Sequence, residues 1–203
     1  SIRYEIDEIH DMPKRINKVK VVKASAAIAE YYNKIIEAME NLSFGKVKFK
    51  ELESQYMRLR QLSSGFMTLR GDDKSKTEVQ FPENPKLDAM EEIISSMPET
   101  SKAIIFHDFR FTNKIISDRL KQMKVPHARV WGGAKDSLKE LRKFKKDPKC
   151  RVLVINCQAG SSSQNLQMAN YVIYYEQPRS SIDRQQSERR AYRPGQKQRV
   201  FFF

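Results

Sequence analysis

Cysteine and histidine are scarce in this chain, with two and three respectively among 203 residues. Cys150 and Cys157 flank an apolar run without Cys-x-x-Cys spacing, and His10, His107 and His127 form no ligand grouping, so reduced thiols and no metal site are expected. Long apolar runs are missing too, and the N-terminus has no charged-then-apolar signal pattern. A soluble, intracellular protein is expected, cytoplasmic or associated with a nucleus or nucleoid, without a membrane partner. Acidic residues are in deficit: 25 Asp and Glu face 38 Lys and Arg, for a formal net charge of +13 and a pI near 9.7. That balance calls for an acidic partner, a nucleic acid or an anionic membrane surface, and the sequence favours nucleic acid. The chain starts at Ser1 rather than Met and stops on the apolar Phe201-Phe202-Phe203, which suggests a piece of something longer.

What is present begins with Met12-Pro13-Lys14 followed by Ile16, Val19, Val21 and Val22, an extended segment and a candidate edge strand. Ser25 caps a helix with Ile28, Tyr32, Ile35, Ile36 and Met39 at helical spacing, and a second helix is expected from about Phe49 to Leu69. Gly71 to Thr77 looks superficially like a phosphate loop, but it lacks the Gly-Lys-Ser/Thr ending and reads as a mobile surface loop. Asn84-Pro85 starts a third helix. From Lys102 the pattern changes. Short apolar runs at 103–106, 128–131, 152–155 and 171–175 alternate with helical stretches at 112–123 and 136–145, and Val200 to Phe203 adds a last run. Such alternation spells an α/β fold, a parallel sheet with helices on both faces, preceded by a mostly helical extension. Ligands of open parallel sheets sit at the carboxyl ends of the strands. The loops to watch are therefore His107-Asp108, Gly132-Gly133, Asn156 to Asn165 and Glu176 to Ser181.

One further stretch organises the rest. Gln186-Ser187-Glu188-Arg189-Arg190-Ala191-Tyr192-Arg193-Pro194-Gly195-Gln196 puts three arginines on about two turns before a Pro-Gly stop. Arg190 and Arg193, three apart, are expected on one helix face, where two guanidinium forks can grip one polyanion such as a phosphate chain. Spacing alone fits a solvated basic helix equally well.

The pattern Gln-x-x-x-Arg-x-x-Arg-x-Gly-Gln resembles the last motif of superfamily-two helicases, in the form found in Swi/Snf-type DNA-translocating ATPases. Other loops share the resemblance. Ile105-Phe106-His107-Asp108-Phe109 looks like the family's Ile-Phe-Ser-Gln-Phe, and Arg129-Val130-Trp131-Gly132-Gly133 is similar to its Leu-Asp-Gly-Ser. Asn156 to Leu166 sits where the family has Ser-x-x-Ala-Gly-Gly-x-Gly-x-Asn-Leu; Ala159, Gly160, Asn165 and Leu166 match, and serines replace glycines at Ser161 and Ser163. Met57 to Leu62 and Asn84 to Leu87 resemble the family's helices ahead of its second lobe.

The resemblance implies a RecA-like helicase C-terminal lobe at 101–203, with 1–100 a helical extension that includes a short N-terminal strand region. It implies arginine fingers at Arg190 and Arg193, nucleotide contacts from Gln186, Gly160 and Asn165, and DNA-backbone contacts from Gly132, Gly133, Ser161, Ser162 and Ser163. ATP and Mg²⁺ would be used with an N-terminal RecA-like lobe of the same polypeptide, on duplex DNA. Asp7-Glu8-Ile9-His10 spells the DExH signature of a first lobe, but only Ser1 to Ile6 precede it, so it reads as a solvated acidic turn. Without a Gly-x-x-x-x-Gly-Lys-Ser/Thr loop, the chain alone is not expected to hold or hydrolyse ATP. Two other readings stay open: a basic α/β module that holds nucleic acid without using nucleotide, and the second lobe of an RNA helicase.

Overall fold

In the computed structural model, residues 12–40, 49–132, 136–158 and 165–203 are described. The element order is β1 (Arg15–Asn17), α1 (Ala26–Glu40), α2 (Phe49–Ser63), β2 (Phe66–Arg70), β3 (Lys76–Gln80), α3 (Pro85–Ser95), β4 (Ala103–His107), α4 (Arg110–Gln122), β5 (His127–Val130), α5 (Ser137–Lys146), β6 (Val152–Asn156), β7 (Tyr171–Tyr174), α6 (Ser181–Ala191) and β8 (Val200–Phe202). The chain divides into two compact units, one of residues 1–20 with 91–203 and the other of residues 21–90.

The larger unit is built on a six-stranded sheet of order β1-β8-β7-β4-β6-β5, in which every pairing is parallel. Central strands of such a sheet are covered on both faces, which is why β4 reads Ala-Ile-Ile-Phe-His without alternation and is buried at all five positions. Ile104, Phe106, Leu153, Ile155 and Val172 join one apolar cluster with Leu141 and Phe144 of α5. Leu141 and Phe144 lie three apart on a helix whose other positions are largely basic, so α5 buries one stripe and leaves its lysines to solvent. Burial of each such large apolar side chain contributes about 1.5–3 kcal/mol. Within the segment 12–22 only Arg15–Asn17 form an edge strand: β1 pairs with β8, Arg15 opposite Val200, and Lys18 N–H donates to the Phe202 carbonyl at 2.7 Å, while Val19, Val21 and Val22 lie outside the strand.

In the smaller unit, Ile28 of α1, Leu62 of α2 and Phe81 form the core, with Ile35 and Met67 against it. The helix expected over 49–69 is corrected here. It ends at Ser63, and residues 66–70 form a strand antiparallel to β3, Phe66 facing Gln80. Gly65 forces the change, since it sits at φ +83°, left-handed backbone that no other residue adopts without strain. A side chain there would also collide with Asn84, whose Nδ2 donates to the Ser64 carbonyl at 3.3 Å. Gly71 to Ser75 is accordingly the tight turn of a hairpin, closed by Gly71 N–H to the Ser75 carbonyl at 3.1 Å.

Candidate functional site

Because the strands are parallel, the loops after β4, β5, β6 and β7 share one edge of the sheet, and hydrogen bonds knit three of them together. Asn156, ending β6, donates from Nδ2 to the Asp108 carbonyl at 2.7 Å, while Cys157 N–H donates to the His107 carbonyl at 3.1 Å. Glu176, 4% exposed just beyond β7, accepts from Phe109 N–H at 3.0 Å, from Asp108 N–H and from the Thr112 hydroxyl at 2.6 Å. Phe109 occupies the N-cap of α4 without a side-chain cap, and the Glu176 carboxylate, from another strand, puts its charge at this helix start through the Asp108 and Phe109 amides and the Thr112 hydroxyl. Asp108 in turn accepts from Arg179 at 3.1 Å.

Arg190 comes to this edge from the last turn of α6 and is only 8% exposed. Burial lowers its pKa from the ordinary guanidinium value, against upward pulls from Cys157, Tyr174 and Asp183, the first two of which stand at the ends of β6 and β7. Its Nη1 is buried without a hydrogen-bond partner among the described residues. An unpartnered buried guanidinium donor costs about 1–3 kcal/mol or more, so the position is not explained by stability. Burial also raises the nearby Cys157 thiol to about 12, keeping it protonated; it and Cys150 are free and buried.

The expectation that Arg190 and Arg193 share one helix face is corrected. The helix stops at Ala191, and Tyr192 is already extended at φ −100°, ψ 93°. Two causes act together: Arg193 precedes a proline, which disfavours helical backbone, and the Tyr192 ring is drawn into the apolar cluster. Arg193 instead opens a tight turn in which its carbonyl accepts from Gln196 N–H at 3.1 Å, with Gly195 at φ +94°. It is half-buried and has no ion pair or side-chain hydrogen bond among the described residues. Glu188 does not pair with it; that carboxylate holds Arg15 at 3.0 Å and Arg184 at 2.7 Å.

Gln196, to which the sequence reading gave no separate role, locks this turn. Its buried carboxamide donates toward the carbonyls of Gln167 (2.9 Å), Ala169 (3.1 Å) and Ala191 (3.1 Å), and accepts from the backbone of Lys197 and Gln198, each at 2.9 Å. With Leu166 N–H donating to the Arg190 carbonyl at 3.0 Å, residues 165–170 are tied to the end of α6. Of the expected nucleotide contacts, Asn165 is exposed and accepts from Gln167 N–H at 3.2 Å, while Gln186 is exposed one turn before Arg190. Gly132 is exposed after β5 with open space around it. Gly133, Gly160, Ser161, Ser162, Ser163 and the Asp7 to His10 stretch lie outside the described residues.

The family model of the helicase conserved C-terminal domain matches residues 85–195, more than half of the chain, including the loops after β4 to β7 and both Arg190 and Arg193. The chain belongs to this helicase C-terminal domain family. Its fold is RecA-like, and solved structures of similar fold include the following. The C-terminal part of the Fun30 ATPase domain has a TM-score of 0.77 at 17% identity, covering 94% of this chain and 84% of that one. The Sulfolobus solfataricus SWI2/SNF2 ATPase core in complex with dsDNA has a TM-score of 0.70 at 23% identity, covering 98% of this chain and 42% of that one. Among curated relatives, the DNA repair protein rad8 of Schizosaccharomyces pombe is 35% identical over 109 residues, 53% of this chain and 9% of its own length. An uncharacterized ATP-dependent helicase of the same organism is 32% identical over 112 residues, 54% of this chain and 11% of its own. The helicase C-terminal lobe thus spans about a tenth of the length of these relatives. Among the described residues, no helix is long and apolar enough to cross a membrane.

Proposed function

We propose that this chain is the second motor lobe of an ATP-dependent translocase on double-stranded DNA, reaching with Arg190 and Arg193 toward ATP held by a first lobe of the same polypeptide. The observation that carries the reading is the buried Arg190 Nη1, partnerless among the described residues, with Arg193, three residues on, also without an ion pair among them. Two unpaired guanidinium groups three residues apart fit a polyphosphate, so the residues present suit the nucleotide their family implies. ATP with Mg²⁺, when bound, would supply the phosphoryl group whose transfer drives the motor. Arg190, held by its helix, would orient the phosphate chain. Arg193, on the turn that Gln196 locks, would meet the charge developing during transfer. Gln186, Gly160 and Asn165 are assigned to the nucleotide, and Gly132, Gly133 and Ser161 to Ser163 to the DNA backbone. Lobe closure on ATP and release after hydrolysis would convert alternate grip into stepping.

The test is steady-state phosphate release with saturating duplex DNA, measured on the 203-residue chain and on a polypeptide that adds the first lobe. Turnover is expected only from the second. The chain alone is expected to bind duplex DNA weakly, without sequence preference, and with an affinity that falls steeply with salt. Salt-independent binding would instead favour a dedicated binding module.

A further inference from the structure

The same sheet edge holds a second arrangement that the arginine site does not use. His107, fully buried at the end of β4, donates from Nδ1 to the Phe109 carbonyl at 3.1 Å and accepts at Nε2 from the Asn113 carboxamide at 2.8 Å. Burial brings the His107 pKa down to about 4, so at neutral pH the ring is uncharged and only this donor and acceptor assignment satisfies both nitrogens. Asn113, 1% exposed, passes the order outward: its Oδ1 accepts from Arg129 Nε at 2.7 Å. The Arg129 guanidinium lies over the Trp131 ring, 4.8 Å from its centroid. Two buried polar side chains therefore fix the attitude of a cation and an indole at the surface.

Trp131 is partly buried, immediately after β5 and immediately before Gly132, around which there is open space. A large aromatic ring partly open to solvent at the ligand edge, with an oriented guanidinium on it, offers an apolar surface and phosphate donors within one nucleotide's reach. The Nη groups of Arg129 have no partner among the described residues.

Resting on the reading that this lobe binds DNA, we propose that Trp131 backed by Arg129 is a stacking platform for an unpaired nucleobase, its phosphate held by the guanidinium. A base inside continuous duplex has both faces covered by its neighbours, so the platform selects DNA that is gapped, frayed or single-stranded. His107 and Asn113 are positioning residues for it.

Trp131 is the only tryptophan in the chain, so its emission reports this site alone. The 203-residue chain is titrated with a continuous duplex, the same duplex carrying a short gap, and a single strand. Anisotropy of labelled DNA reads binding, and intrinsic fluorescence reads the ring. Gapped and single-stranded DNA are expected to quench the emission and to bind about tenfold more tightly than the continuous duplex. Trp131→Phe, which keeps a stacking face, should retain that ratio, and Trp131→Ala should bring it to about one, with circular dichroism confirming that both variants are folded. Asn113→Leu should shift the emission to the red as the pair loosens. Binding with unchanged emission, or a preference that survives Trp131→Ala, would overturn the platform while leaving DNA binding intact. Absence of binding to all three DNAs overturns both the platform and the reading beneath it.

Discussion

The two ends of α6 carry arginines in opposite circumstances. At the N-terminal end, Arg184 bonds Glu188 at 2.7 Å and Gln177 at 2.6 Å and lies 3.4 Å from the centroid of the Tyr174 ring. Around it, the Tyr174 hydroxyl meets Ser187 at 2.6 Å, and Glu188 reaches Arg15 of β1. At the C-terminal end, Arg190 is buried with Nη1 unpartnered among the described residues, and Arg193 stands beyond the helix without an ion pair. One end is saturated and the other is kept open. A helix that must present guanidinium groups to a ligand needs anchorage that does not consume them, and here the anchorage is supplied half the helix away and by Gln196 below.

The largest effect is expected at the open end. In a polypeptide with both lobes, Arg193→Ala should cut kcat by about 10³ while DNA binding and melting temperature stay near wild type. Arg193→Lys should rescue poorly, because a point charge lacks the planar fork. A lower melting temperature with kcat preserved would make Arg193 a structural residue. Next, Gln196→Leu should destabilise the chain by about 2–3 kcal/mol in urea unfolding, since buried carbonyls and amides lose their partner together. A value near zero would show that the turn below α6 holds without its lock. At the saturated end, Glu188→Gln should cost about 1–2 kcal/mol, a figure already reduced for the partial exposure of Arg15 and Arg184. The smallest effect on stability has the opposite sign. Arg190→Met fills similar space without an unsatisfied donor, so it should leave stability unchanged or raise it by about 1 kcal/mol while abolishing ATP turnover. Clear destabilisation by Arg190→Met would erase the contrast between the two ends.

Most of the sheet was legible because parallel strands buried on both faces appear as uninterrupted apolar runs. The runs at 103–106 and 152–155 became β4 and β6, each one residue longer at its C-terminal end. The hairpin was not legible. Phe66 to Leu69 continues the apolar spacing of α2, and only the backbone at Gly65 separates them. The carboxyl-edge loops could be found from the alternation of strands and helices, but the contacts that organise them could not. Glu176 with Thr112, Asn113 with Arg129 and Gln196 with Ala169 join residues far apart in sequence. The helix end at Ala191 carried a local signal that spacing outweighed, the arginine placed directly before Pro194.

The pairing of β1 with β8 has a consequence for how the protein is made. Arg15 faces Val200, so β1, once made, waits for β8 before this pairing can form. At about 5–20 residues per second, that wait is roughly 10–40 s. Long-range pairing of this kind is slow to close, and the rest of the sheet can form without it. Docking of β1 then completes this sheet, and amide hydrogens of residues 15–17 should be the first in the sheet to exchange with deuterated solvent.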